Sequence, residues 1–270
     1  MTAIYDCSVE SQLLTGMRLA RGAIGRGELV VIPTDTVYGV AADAFDAKAV
    51  ARLLDAKGRD RTSPPPVLIP GIPTLDALAS EVPEPVRRLV AEFWPGGLTV
   101  ILRAQPSLQW DLGETRGTVA LRMPANPIAL ELLSETGPLA VSSANLSGQP
   151  SAVTASNAAE MLGDSVAVYL DGGTAGSDYE PIGERPGDTS STIVDATGIR
   201  DGEGTLRIVR AGVISRERIA AVVGDELLAP EASASTAASA SAVASEPSGA
   251  SASPAASDSP PADEADAAAS

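Results

Sequence analysis

The first 224 residues alternate between two hydrophobic periods. Leu13, Met17, Ala20 and Ile24 recur at helical spacing, and residues three and four apart share one side of a helix. Ser8 is placed to cap that helix and Gly25 and Gly27 to end it. Residues 29–32 then form an unbroken apolar run closed by Pro33. Such a run, with no polar alternation, predicts a strand covered on both faces. Asp46 is a cap candidate for a helix carrying Val50, Leu53 and Leu54. Pro85 suits the first turn of another, whose apolar face is Val86, Leu89, Val90 and Phe93. Further short apolar runs predict strands at 67–69, 98–102, 118–121, 139–142, 166–170, 191–194 and 206–209. Helices are predicted at 128–133, 155–162 and 215–223, and Trp110 falls in a loop. Strands alternating with helices predict an α/β domain layered around one sheet.

The pattern stops near residue 224. Of residues 231–270, 31 of 40 are Ala, Ser or Pro, with a single Val and no Leu, Ile or aromatic residue. Such a segment buries too little apolar surface to offset its chain entropy. We therefore divide the chain into a folded domain, 1–224, and an acidic, disordered Ala/Ser/Pro-rich tail, 225–270. The tail has eight acidic residues and no basic one, half of the chain's net charge of −16.

Composition removes several function classes. The chain has no histidine, and Cys7 is its one cysteine. A histidine-based triad, a histidine-ligated metal, a disulfide framework and a cysteine-rich zinc site are all excluded. No protein metal site is expected. The net charge disfavours nonspecific attraction to nucleic acid or an anionic membrane. The N-terminus lacks the basic and apolar regions of a secretory signal, and no apolar stretch approaches a membrane span. A cytoplasmic protein without a membrane partner is the expectation.

Candidate chemistry lies where apolar runs meet polar segments, because ligands of open α/β sheets gather at strand ends. Residues 29–32 lead into PTDTVYG, with Thr34, Asp35, Thr36 and Tyr38. Residues 139–141 lead into SSANLSG, with Ser143 and Asn145. Both segments could orient a small polar substrate, or be turns whose side chains bond their own backbone. Lys57, Arg59 and Arg61 place three cations within five residues. Lys57 and Arg59 could grip a polyanion across Gly58, or form a solvated helix end. Arg122 and Arg210 are single cations at strand ends. No Gly-Lys-Ser or Gly-Lys-Thr phosphate loop occurs, so a bound nucleotide would be held by scattered side chains.

Six segments in order carry a resemblance: PTDTVYG, AKGR, TVALRMP, VSSANLSG, STIVD and RIVRAG. Together they resemble the threonylcarbamoyl-AMP synthases, the YrdC-like proteins of tRNA modification, from about Leu29 to Val223. The resemblance implies a twisted mixed sheet with flanking helices around a concave site. It implies a nucleotidyltransferase that condenses L-threonine, bicarbonate and ATP into threonylcarbamoyl-AMP and pyrophosphate, with Mg2+ accompanying ATP. Downstream transfer proteins then modify adenosine 37 of tRNA, and a weak tRNA contact is among the partners it allows. Carried over by motif, Lys57 and Arg59 bind ATP phosphates and carry the catalysis. Thr118, Ser143, Asn145 and Arg210 line the nucleotide side. Thr34 or Thr36, Arg122, and Thr192 or Ser191 hold threonine, with Arg122 on its carboxylate.

The chain departs from the family pattern KxRPxxNPL with a following His. Ser63 stands at the Asn position and Leu68 at the His position. Arg-Pro-Gly is here Arg210-Ala211-Gly212, and Ser190 replaces a usual Glu. The chain looks like the single-domain form with an appendage. Two other readings compete: an RNA-binding or ribosome-associated module without turnover, and a carbamoyl-transfer domain with another acceptor.

Overall fold

The computed structural model describes residues 3–180, 188–200 and 203–230. The chain runs β1 (Ile4–Asp6), α1 (Glu10–Gly25), β2 (Val30–Ile32), β3 (Gly39–Asp43), α2 (Ala47–Lys57), β4 (Val67–Leu68), α3 (Ile72–Leu78) and α4 (Glu84–Phe93). It continues β5 (Leu98–Arg103), β6 (Thr118–Arg122), α5 (Pro127–Thr136), β7 (Leu139–Ser143), α6 (Ala155–Leu162), β8 (Val168–Asp171), β9 (Thr192–Asp195), β10 (Arg207–Arg210) and α7 (Arg216–Val223). These strands form one sheet in the order β1-β8-β2-β3-β7-β4-β6-β5-β9-β10. Pairs β1–β8, β2–β8, β4–β6 and β5–β9 are parallel. The remaining pairs are antiparallel, so the sheet is mixed, as expected.

The alternation of side chains across the sheet explains both its layers and its open face. On β2, Val30 and Ile32 pack against Met17, Ala20 and Ile24 of α1 and Leu132 and Leu133 of α5. Val31 points to the opposite face, among Leu53 of α2 and Ala158 and Leu162 of α6. The unbroken apolar run is therefore covered twice. Each fully buried Val, Leu or Ile contributes about 1.5–3 kcal/mol. The β5–β6–β9 region differs. Leu98, Val100 and Leu102 of β5 pack with Val86, Leu89 and Phe93 of α4 and Ile219 and Val223 of α7. Thr99 and Ile101 turn the other way and line a cavity. Thr118, Ala120 and Arg122 of β6 do the same. The sheet is layered on both sides in one half and concave in the other.

Two local expectations are corrected and a third holds. Ser8 does not cap α1: the N-cap is Val9, without a side-chain bond, and Ser8 Oγ instead donates to Asp6 Oδ1 at 2.7 Å. Asp46 does cap α2, accepting from the amides of Lys48 and Ala49 at 2.8 and 3.2 Å. The folded unit ends at Pro230 rather than residue 224. A 3-10 turn at Asp225–Leu227 brings Leu228 into the core at 5% exposure, and the Leu206 amide bonds to the Leu227 carbonyl. The tail beyond, read as disordered from composition, lies outside the described residues.

Candidate active site

β2 delivers the chain into PTDTVYG at the edge of the concave face. Thr34 and Thr36 are both buried. Thr34 Oγ1 donates to the Val37 carbonyl at 2.6 Å and accepts from the amides of Thr36 and Val37 at 3.2 and 3.3 Å. Its one proton is spent on Val37. The 3.1 Å contact between the two hydroxyls is therefore donated by Thr36. Thr36 Oγ1 in turn accepts from Arg122 Nη1 at 2.8 Å.

Arg122, at the end of β6, is 6% exposed. Its Nε donates to the Gly96 carbonyl at 2.9 Å and its Nη2 to Asp35 Oδ1 at 2.7 Å. Three of five guanidinium protons are thus spent, leaving one on each terminal nitrogen. In the sequence Arg122 stands as a single strand-end cation. The structure pairs it with Asp35, whose own side chain is equally buried.

Arg59 follows Gly58, which closes α2 in the left-handed region at φ 63°. A residue with a side chain would be strained there. Arg59 Nη1 makes a long 3.4 Å bond to Ser142 Oγ, and burial pushes its guanidinium down from the usual value. Arg210, on β10, is more firmly held. Its Nε and Nη2 donate to the Ser191 carbonyl at 3.0 and 2.8 Å, and Nη2 also reaches Ser191 Oγ at 2.8 Å. Burial lowers it first and Arg122 second, with Asp188 opposing. Gly212 makes this close approach feasible: a Cβ there would lie 2.3 Å from the backbone of Ser191 and Thr192. The glycine of the altered Arg-Ala-Gly motif is the part the packing requires.

Arg59, Arg122 and Arg210 face one cavity of about 310 Å³. Thr34, Thr36, Thr118, Ser143 and Ser191 also line it. No carboxylate does, among the described residues. Much of the rest is apolar, including Pro66, Leu68, Val141 and Leu112. Leu68, at the family's His position, gives this wall no hydrogen bond.

Lys57, Asn145 and Thr192 are not brought to the cavity wall. Lys57 is 1% exposed. Its ammonium donates to the Ser143 carbonyl, to the Asn145 carbonyl at 2.6 Å and to Asn145 Oδ1 at 3.3 Å. Burial and then neighbouring Arg59 push it down to about 7, while three oxygen acceptors favour its charged form. Asn145 spends its amide protons on the Leu146 and Gln149 carbonyls at 2.9 and 2.7 Å. Thr192 Oγ1 exchanges bonds with the Ile214 backbone, so of the two alternatives Ser191 is the one facing the cavity. Among the described residues no group of three or more His, Cys, Asp or Glu could hold a metal. No described helix is long and apolar enough to cross a membrane.

Sequence reading missed Tyr179, which donates to Asp35 Oδ2 at 3.1 Å behind the cavity wall. It lies 144 residues from its partner, in a loop without periodicity, and nothing in the sequence marks it.

The family model described as telomere recombination (Sua5/YciO/YrdC) matches residues 22–212. A Mycobacterium tuberculosis protein, provisionally named threonylcarbamoyl-AMP synthase, is 51% identical over 224 residues, 83% of this chain and 96% of its own length. The threonylcarbamoyl-AMP synthase of Pyrococcus abyssi is 38% identical over 216 residues, 79% of this chain and 59% of its own. Among solved structures, P. abyssi Sua5 complexed with L-threonine gives a TM-score of 0.71 at 35% identity, covering 85% of this chain and 63% of that one. E. coli YciO gives 0.65 at 23% identity, over 79% of this chain and 97% of its own, a likeness of fold.

Proposed function

The chain belongs to the Sua5/YciO/YrdC family, and we propose that it acts as a threonylcarbamoyl-AMP synthase, condensing L-threonine, bicarbonate and ATP for tRNA modification. The observation that carries this reading is three arginines converging on one cavity that no carboxylate lines among the described residues, in a chain of net charge −16. Such a pocket selects small polyanions against the field of the whole molecule.

The chemistry balances in two steps. The threonine amine attacks bicarbonate, giving an N-carboxylate and water. A carboxylate oxygen of that carbamate then attacks the α-phosphorus of ATP, forming the mixed anhydride and expelling pyrophosphate. The chain has no histidine to act as a general base. Its contribution is positioning and charge neutralisation. The two unspent Arg122 protons grip the threonine carboxylate. Arg59, the least committed of the three guanidiniums, takes the phosphates, with Arg210 beside it. Thr118 and Ser143 line the nucleotide side. Lys57 acts from behind the wall by holding the turn that carries Ser143. Apolar lining at Pro66, Leu68 and Val141 keeps water from the carbamate.

The donor set, cationic and hydroxylic, suits Mg2+ that arrives on the triphosphate with its own waters rather than in a protein carboxylate cage. When bound it offsets charge on the leaving pyrophosphate. The test is an omission series with ATP, Mg2+, L-threonine and bicarbonate, read as pyrophosphate and as the mass of the adenylate. Product is expected only when all are present, and valine should replace threonine poorly. Pyrophosphate release that ignores threonine or bicarbonate overturns the proposal. An RNA-binding module predicts no turnover at all.

A further inference from the structure

Behind the cavity, one phenol completes a closed set of hydrogen bonds around Asp35. Asp35 Oδ1 accepts from Arg122 Nη2 at 2.7 Å and from the Ala125 amide at 2.8 Å. Oδ2 accepts from the Tyr179 hydroxyl at 3.1 Å. The phenol lies over the backbone of Gly96 and Gly97: a Cβ added at either would stand 3.6 or 3.4 Å from the Tyr179 oxygen. The Gly96 carbonyl is also the acceptor for Arg122 Nε. Tyr179, Asp35, Arg122 and the 96–97 backbone therefore fix one another. Tyr179 is itself tied into a turn, its amide donating to the Gly176 carbonyl at 3.1 Å. Nearby, Thr189 Oγ1 donates to the Thr36 carbonyl at 2.6 Å. The chain leaving β8 and the chain entering β9 thus both fasten onto the PTDT turn.

We infer that Tyr179 is a positioning residue for the amino-acid substrate, aiming the Arg122 guanidinium by holding the far oxygen of Asp35. The inference rests on the proposed role of Arg122 at the threonine carboxylate. Tyr179 is not among the residues that line the cavity, so its route to the substrate runs through Asp35 and Arg122. Without the hydroxyl, Asp35 keeps its Arg122 and Ala125 bonds at Oδ1 but loses the bond that holds Oδ2, so its carboxylate is less restrained against turning about the bond to its Cβ. The two unspent Arg122 protons then sweep a wider range. A bidentate grip on a carboxylate is sensitive to that angle. Arg59 and Arg210 stand on other elements, so phosphate binding is left alone.

The experiment uses the full chain and two variants, Tyr179→Phe and Tyr179→Leu. L-Threonine binding is read by calorimetry, and KM for threonine and for ATP by pyrophosphate release. Loss of one hydrogen bond to a charged group is expected to weaken threonine about tenfold. It should do so equally in both variants, with the ATP KM within about twofold and the kcat at saturating threonine near wild type. An unchanged threonine affinity in Tyr179→Phe overturns the inference. So does a defect seen only in Tyr179→Leu with a fallen melting temperature, which would make the side chain packing alone. Parallel rises in both KM values overturn it too. Arg122→Lys separates this from the premise. If that variant binds threonine like wild type, the role of Arg122 itself fails. If it loses threonine while Tyr179→Phe does not, only the role of Tyr179 fails.

Discussion

Arg59 and Lys57 stand two residues apart, yet their surroundings give them different work. Arg59 has one long bond to Ser142 and keeps most of its donors. Arg59→Ala should leave the melting temperature near wild type and lower turnover about ten- to a hundredfold, the value of one charge-assisted bond. Lys57 is held by three oxygens with 1% exposure. Truncation strands those buried acceptors, a cost of about 1–3 kcal/mol. Lys57→Met should therefore lower both activity and melting temperature, the latter by several degrees. Calorimetry beside the turnover assay separates the two. A Lys57→Met protein that melts like wild type would return Lys57 to a direct phosphate role. The charges themselves were legible in the sequence, because five-residue clusters stand out in an acidic chain. Their partners were not. Arg122 and Asp35 are 87 positions apart, and only the sheet, which sets β6 near the turn after β2, makes them a pair. That pairing also makes Arg122→Ala a poor probe, since it leaves Asp35 buried without its counter-ion.

At the scale of elements, legibility followed the strength of the local signal. The apolar run at 29–32, the Asp46 cap and the Pro85 first turn each state a physical preference that tertiary structure had no reason to override. β3 was not read because Gly-Val-Ala-Ala-Asp has weak strand propensity, and its pairing with β7 supplies what the residues do not. β1, three residues long, and α3, with a proline in its first turn, were likewise too short to show a period. The joint between β9 and β10 carries a test at this scale. Ser191 and Arg210 meet only because Gly212 lets the chains approach. In Gly212→Ala the new methyl would overlap the Ser191 carbonyl carbon, so β10 must shift and take Arg210 with it. Turnover should fall at least tenfold, with a higher KM for ATP and little change in threonine affinity, since Arg122 sits on β6. Equal losses for both substrates would show that the shift reaches the whole cavity.

For the whole molecule, the composition boundary and the packing boundary differ by six residues, and the difference is measurable. Composition changes near residue 224, where the helical pattern of α7 stops. Packing continues to Pro230. Leu228 is buried against the same core as α4 and α7, the Ala229 amide bonds to the Leu206 carbonyl at 2.8 Å, and Arg216 Nη1 reaches the Ala229 carbonyl at 3.1 Å. These contacts were illegible because they are made by backbone groups, the Arg216 guanidinium and a pair of leucines, which have no period to detect. A chain ending at residue 230 loses six acidic residues and no Leu, Ile or aromatic side chain. Its melting temperature and turnover should match the full chain within error. A chain ending at residue 224 loses the Leu228 burial, about 1.5–3 kcal/mol, together with the backbone bonds to Leu206. For a domain of this size that corresponds to a drop of about 5–10 °C. The candidate cavity lies on the other face of β5 from this core, so turnover at low temperature should survive in the chain ending at residue 224. Scanning calorimetry of the three chains decides the matter. Coincident melting of both truncations would mean that residues 225–230 add nothing to the core. A large fall already at 230 would mean that the acidic tail, despite its composition, stabilises the folded unit.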